Sequence, residues 1–266
     1  MFKRWKMVAA AALAFAGAAV AGTAGTAATA GTAGTAATAA TAAVDLTPTE
    51  TQWLLSAMPV LRWAREQGLP LDIIVQPQPT PGETPLGLAF IAGRCKLVLS
   101  MRGNPDAQAT LDSMPAGLHE AVVEAIAAHE MGHCWRHLQD SWGALPNGLN
   151  DNGVLGRLRP DQAEVLRDMW QTRREEGFAD LVGLAWTLKH HPEHYAAVHV
   201  WYTRLRAVQA LDTGPHDTRV WLRLAADTLK FSAAASIFEQ VHGLWVAGLL
   251  DDAEPTQRVA ALVPPG

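Results

Sequence analysis

The stretch AIAAHEMGHCWRHLQD, residues 125–140, places His129 and His133 four apart, with Glu130 directly after the first histidine. Val122, Ile126, His129 and His133 recur at spacings of four, three and four, which predicts a helix from about Leu118 to Leu138 with these residues on one stripe. On a helix, residues four apart point the same way and lie about 6 Å apart. Two imidazoles so placed can reach one tetrahedral zinc ion at about 2.0–2.1 Å each. Glu130 is turned toward the same point from one side, where it can take a proton from water rather than act as a ligand. The pair needs a third ligand, so the helix has to pack against whatever element supplies it.

His137 is one turn too far, because three histidines at successive fours would span about 12 Å of helix. Gln139 occupies the position six residues past His133, where another extended pattern would need histidine. RREEGFADLVG, residues 173–183, offers Glu176 and Asp180, again four apart and on a second predicted helix. Glu176 would complete the metal set. Asp180, one turn on, could accept the outer N–H of a ligand histidine and fix its tautomer. Gly132, between the two histidines, leaves room for another backbone to approach closely.

This combination resembles the gluzincin metallopeptidases. EGFAD is similar to the Glu-x-x-Ala-Asp of the group that includes the CAAX prenyl-protein endopeptidases and their soluble bacterial relatives. The resemblance covers about residues 118–220. It implies that His129, His133 and Glu176 bind one Zn2+, that Glu130 is the general base, and that Asp180 orients the first histidine. The family often carries a histidine, and an arginine a few residues later, after the third ligand. TGPHDTRVWL supplies His216 and Arg219 for those places, as donors to the oxyanion of a tetrahedral intermediate, with Tyr202 a competitor for that role. The chain departs from the membrane-embedded relatives: after residue 21 it has no comparable apolar run, so their substrates do not carry over.

The rest of the chain sets the context. Lys3, Arg4 and Lys6 precede an apolar run from Met7 to Ala21, and Ala19-Val20-Ala21 fits a cleavage site, so residues 1–21 are expected to be an export signal. An uncleaved anchor is the alternative, but a spanning helix wants nearer 20 apolar residues. The mature protein is then expected to be periplasmic or secreted, with no membrane attachment. GTAGTAATA occurs at 22–30 and again at 31–39. A repeat with no large side chain cannot offset the entropy of ordering it, so 22–46 is expected to be a flexible linker. Residues 47–255 form the expected metallopeptidase domain and 256–266 a tail. A net charge of −5 gives no basic excess for nucleic acid. Ten tryptophans against two tyrosines read as core filling between helices.

Trp53, Leu54, Met58, Leu61 and Trp63 predict a first helix from after Thr49, stopped by Gly68 and Pro70. LDIIV at 71–75 reads as a strand, and 87–101 as two strands turned at Ala92-Gly93-Arg94, with Gly103-Asn104-Pro105 breaking the pattern. The strand near Lys96–Met101 is expected to be the edge on which an extended substrate lies. LPNGLNDNG reads as a loop, Pro160-Asp161 as a helix start, and 193–211 and 218–248 as further helices. The fold class is α+β, zincin-like: a small early β-sheet, an active-site helix and a mainly helical C-terminal half.

Cys95 and Cys134 are the two cysteines. Export and an even count favour a disulfide; two buried thiols acting as small apolar residues are the alternative. Cys134 sits about 100° round the helix from His133, badly aimed to be a fourth ligand. The expected function is a zinc metalloendopeptidase acting on peptides or proteins. The alternatives are a zinc-binding structural or binding protein without catalysis, or a zinc hydrolase of a non-peptide amide or ester. Glu130 speaks against a purely structural site, which needs no base beside its ligands.

Overall fold

Helix α1 (Pro48–Glu66) begins two residues before the expected start, because Thr47 closes a capping box there. Its hydroxyl accepts from the Glu50 amide at 3.2 Å, and the Glu50 carboxylate accepts from the Thr47 amide at 2.8 Å. The computed structural model describes residues 45–76, 83–209 and 214–262. The expected export signal, almost all of the expected linker and residues 263–266 of the expected tail lie outside the described residues.

Three strands follow α1: β1 (Leu71–Val75), β2 (Leu86–Ile91) and β3 (Arg94–Leu99). They form a mixed sheet in the order β1-β3-β2, parallel between β1 and β3 and antiparallel between β2 and β3. The hairpin turns at Ala92 and Gly93, both with positive φ (52° and 73°), the sense whose twist suits a two-residue β-hairpin. The order overturns one expectation. β3 is the central strand, its backbone groups engaged on both sides, so it cannot receive a further strand; β2 and β1 are the edges. A strand's own residues do not reveal that a distant partner, here β1, has taken its second side.

Gly103-Asn104-Pro105 is a helix start as well as a break. The Asn104 side chain accepts from the Asp106 amide at 3.0 Å, and Pro105 opens α2 (Pro105–Ser113). Helix α3 (His119–Leu138) carries the histidine pair and is buried on nearly every side, not along one stripe. It packs on α1, on β2 and most extensively on α5 (Pro160–His190), after the single turn α4 (Asn152–Leu155). A Cβ on Gly132 would stand 3.1 Å from the Ala179 Cα, so the missing side chain is what lets α3 and α5 cross this closely.

The C-terminal half contains α6 (Tyr195–Gln209), α7 (Arg219–Ala225) and α8 (Ile237–Leu262). The single helix expected over 218–248 is therefore two helices. Asp227 accepts from the Leu229 amide at 3.1 Å and holds a short 3-10 turn between them. Trp221 of α7 lies between Gly177 of α5 and Gly248 of α8, its indole N–H donating to the Trp245 carbonyl at 3.0 Å. Trp53, Trp170, Trp186, Trp201, Trp221 and Trp245 are buried, as core filling requires. Among the described residues no helix is long and apolar enough to cross a membrane. The architecture is α+β.

Candidate metal centre

His129 and His133 leave α3 toward Glu176 of α5, and the three form a group able to hold a metal ion. The two Nε2 atoms are 3.1 Å apart. His133 Nε2 is 3.4 Å from Glu176 Oε1, and His129 Nε2 is 3.7 Å from Glu176 Oε2. Ligands at 2.0–2.1 Å on a tetrahedral zinc stand about 3.3–3.4 Å from one another. The observed separations of 3.1–3.7 Å bracket that value, so this N, N, O donor set could hold a metal ion of that size. The residue types fit the group.

Asp180 fixes the orientation of His129. It is fully buried, and its Oδ1 accepts from His129 Nδ1 at 2.9 Å, which leaves the lone pair of that ring on Nε2, facing His133 and Glu176. Arg206 of α6 donates to both Asp180 oxygens, at 2.8 and 2.6 Å, and to Glu176 Oε2 at 2.8 Å. Thr218, the residue before α7, adds its hydroxyl to Asp180 Oδ2 at 2.6 Å. Burial alone would push the Asp180 carboxyl up, but the Arg206 guanidinium and the His129 ring hold it at about 2. Glu176 is likewise held well below the usual carboxylate range against its burial, first by Arg206 and then by the histidines. Both acids are thus charged and aimed.

Glu130 is different. Burial pushes its carboxyl above the ordinary value, against the pull of His129 and His133. A carboxylate that gains basicity from its surroundings suits proton transfer better than a fixed ion pair does. His216 is buried on the loop before α7, close enough to Glu176, Arg206, Asp180 and His129 for their charges to act on its ring. Burial, acting first, lowers its pKa, so it reaches neutral pH uncharged with one N–H to donate.

Two further candidates differ in their surroundings. Arg219 grips Asp217 at 2.7 and 2.8 Å with its side chain 47% exposed; the guanidinium at the site is that of Arg206. The reason is local, since a side chain two residues away is within reach of the first residue of α7 before the site is. Tyr202 is buried beneath the site, where Gly183 leaves room: a Cβ there would stand 2.7 Å from the Tyr202 hydroxyl and 2.6 Å from the Ala125 carbonyl oxygen. Its hydroxyl has no hydrogen-bond partner among the described residues and lies close enough to Asp180, Arg206, Glu130 and Glu176 for their charges to act on it. His137 takes no part in the metal group. Three of the other histidines have structural partners: His190 stacks on Trp186, His191 pairs with Glu124 at 3.0 Å, and His199 meets the Leu222 carbonyl at 2.8 Å.

Cys95 of β3 and Cys134 of α3 are joined by a disulfide that ties the sheet to the histidine-bearing helix, with 5.6 Å between Cα atoms. Arg206 and Thr218 were the functional residues missed in the sequence. Two carboxylates four apart share one helix face and call for a cation once that face packs, but the spacing does not say which of several arginines supplies it. Comparison with family models, with curated proteins and with solved structures finds no match to this chain.

Proposed function

We propose that this protein is an exported, zincin-like zinc metallopeptidase of the gluzincin type, which hydrolyses peptide bonds with Glu130 as general base. The observation that carries the reading is the triangle of His129, His133 and Glu176 at tetrahedral spacing, with a base of raised pKa directly beside it. Zinc, when bound there, would lower the pKa of water to about 7 and polarise a carbonyl oxygen.

The chain's own groups do the rest. Glu130 accepts the proton of the attacking water as its oxygen bonds to the carbonyl carbon. It then delivers that proton to the amide nitrogen as the C–N bond breaks, so base and acid are one carboxyl. His216 donates an N–H toward the oxygen that gains negative charge. Asp180, held by Arg206 and Thr218, keeps the His129 ring in its ligand tautomer. The edge of β2 that pairs with no strand among the described residues, on a strand that packs against α3, is where an extended peptide would add, in place of the central β3. The Cys95–Cys134 bond supports an oxidising compartment and hence export.

The test is a peptide-library digest with wild type and Glu130→Gln. The variant is expected to keep its metal and fold and to lose most turnover. Near wild-type rates for Glu130→Gln on a peptide the wild type cuts would remove the mechanism.

A further inference from the structure

We propose that Trp142 is a specificity shelf, an aromatic platform that receives a bulky aromatic or aliphatic side chain of the peptide beside the bond to be cut. The proposal rests on the peptidase reading and adds a substrate class to it. Trp142 is 40% exposed, whereas the other described tryptophans are buried or packed against the core. The part of so large a ring that stays in water contributes nothing to folding.

Its position is built, not frayed. The Ser141 amide and hydroxyl both donate to the Arg136 carbonyl at 3.0 Å, and the Gly143 amide donates to Glu175 Oε1 at 2.8 Å. Arg136 reaches the Ala144 carbonyl at 3.2 Å and binds Glu175 through two 2.8 Å contacts, in a pair that is 4% and 1% exposed. Gly143 takes φ +70°, which only glycine adopts without strain. A buried ion pair thus clamps the turn on both sides of an exposed indole.

The ring is backed as well as clamped. His137 stacks on Trp142 with centroids 4.0 Å apart and planes within 6°, and Phe90 stacks on His137 at 4.8 Å and 3°. One face of the indole is therefore covered, which leaves the opposite face and rim as the exposed area. The metal ligand His133 lies 5.5 Å from the indole centroid. Phe90 belongs to the edge strand β2, directly opposite Cys95 and so on the same face of the hairpin. The disulfide from Cys95 to Cys134 thereby holds Phe90 over α3. Side chains of an extended peptide alternate about every 3.3 Å. One residue of a strand bound along β2 and reaching His133 would lay its side chain on the free indole face, as the fourth layer of the stack.

The test uses the full chain carrying Glu130→Gln, loaded with zinc, and two blocked heptapeptides, one of alanines and one with phenylalanine at the centre. Calorimetry should find the phenylalanine peptide bound about tenfold more tightly. Trp142→Ala should abolish that ratio and Trp142→Phe should restore most of it, with zinc content unchanged in both. An unaltered ratio in Trp142→Ala, or no binding of the phenylalanine peptide to the parent protein, overturns the shelf. If the affinities behave as stated but protein with Glu130 intact cuts no peptide, the peptidase reading fails and Trp142 stands only as a platform for binding peptide. If peptides are cut with no dependence on Trp142, the reading stands and the shelf fails.

Discussion

Arg206 lies against Asp180 with its Nε on one carboxylate oxygen at 2.8 Å and a terminal nitrogen on the other at 2.6 Å, and the same nitrogen reaches Glu176. One cation on α6 thus holds both acids of α5, and the α5 acids hold the histidines of α3. Replacing Arg206 by Met leaves the buried Asp180 and the half-buried Glu176 carboxylates without it. The expected loss is about 3–5 kcal/mol in the metal-free protein, read from urea unfolding. Arg206→Lys should recover only part of it, since an ammonium cannot reproduce the two-pronged contact. Equal stability of Met and wild-type proteins would show that the guanidinium is not what keeps these acids charged.

Asp180→Asn keeps the shape of the side chain and removes the charge that His129 Nδ1 and Arg206 meet. Metal affinity is expected to fall by roughly 10–100-fold. Competition with a zinc chelator measures it, and an unchanged dissociation constant would separate Asp180 from the metal group.

Glycines at the helix crossings divide into two kinds. A Cβ on Gly132 would meet α5 at 3.1 Å, and one on Gly177 would lie 2.4 Å from the Trp221 ring, whereas one on Gly243 of α8 would meet nothing within 4 Å. Gly132→Ala should destabilise by about 1–3 kcal/mol and weaken metal binding, because it moves Glu176 relative to the histidines. Gly177→Ala should be the more severe. Gly243→Ala should instead stabilise by up to about 1 kcal/mol, the ordinary helix preference for alanine. Thermal midpoints that rise from Gly177→Ala through Gly132→Ala to Gly243→Ala check the packing of α3 on α5 and of Trp221 in its slot.

Sequence spacing revealed what is local. His129, Glu130 and His133 share one helix, Glu176 and Asp180 another, and the rule of four places each pair on one face. Arg206 is 26 residues from Asp180, and nothing in YTRLRAVQ marks the arginine that turns inward. The hairpin was legible from its turn residues, but the order β1-β3-β2 was not, because only the parallel return of β1 decides which strand is central. Helix α3 hid its burial for a related reason: small residues such as Ala125, Ala127 and Ala128 look neutral in a stripe yet admit neighbours on every side. Trp142 misled in the opposite direction. Tryptophan reads as core, and the clamp that holds this one at the surface comes from Glu175, 32 residues from Gly143.

The disulfide closes a loop with a sequence separation of 39. Chain entropy alone gives about 4 kcal/mol for such a loop. The double variant Cys95→Ala, Cys134→Ala should unfold at a correspondingly lower urea concentration, and mass spectrometry of unreduced wild type should find the linked peptide. Two alkylatable thiols in the purified wild-type protein would contradict the link between β3 and α3.

Metal analysis of the purified protein after zinc loading and desalting, wild type beside Glu176→Ala and His133→Ala, tests the central claim most directly. About one zinc per chain is expected in the wild type, with both variants emptied alike, because each removes one corner of the same triangle. A wild type that retains no zinc, or a Glu176→Ala protein that retains it fully, would contradict the assignment of His129, His133 and Glu176 as the metal centre.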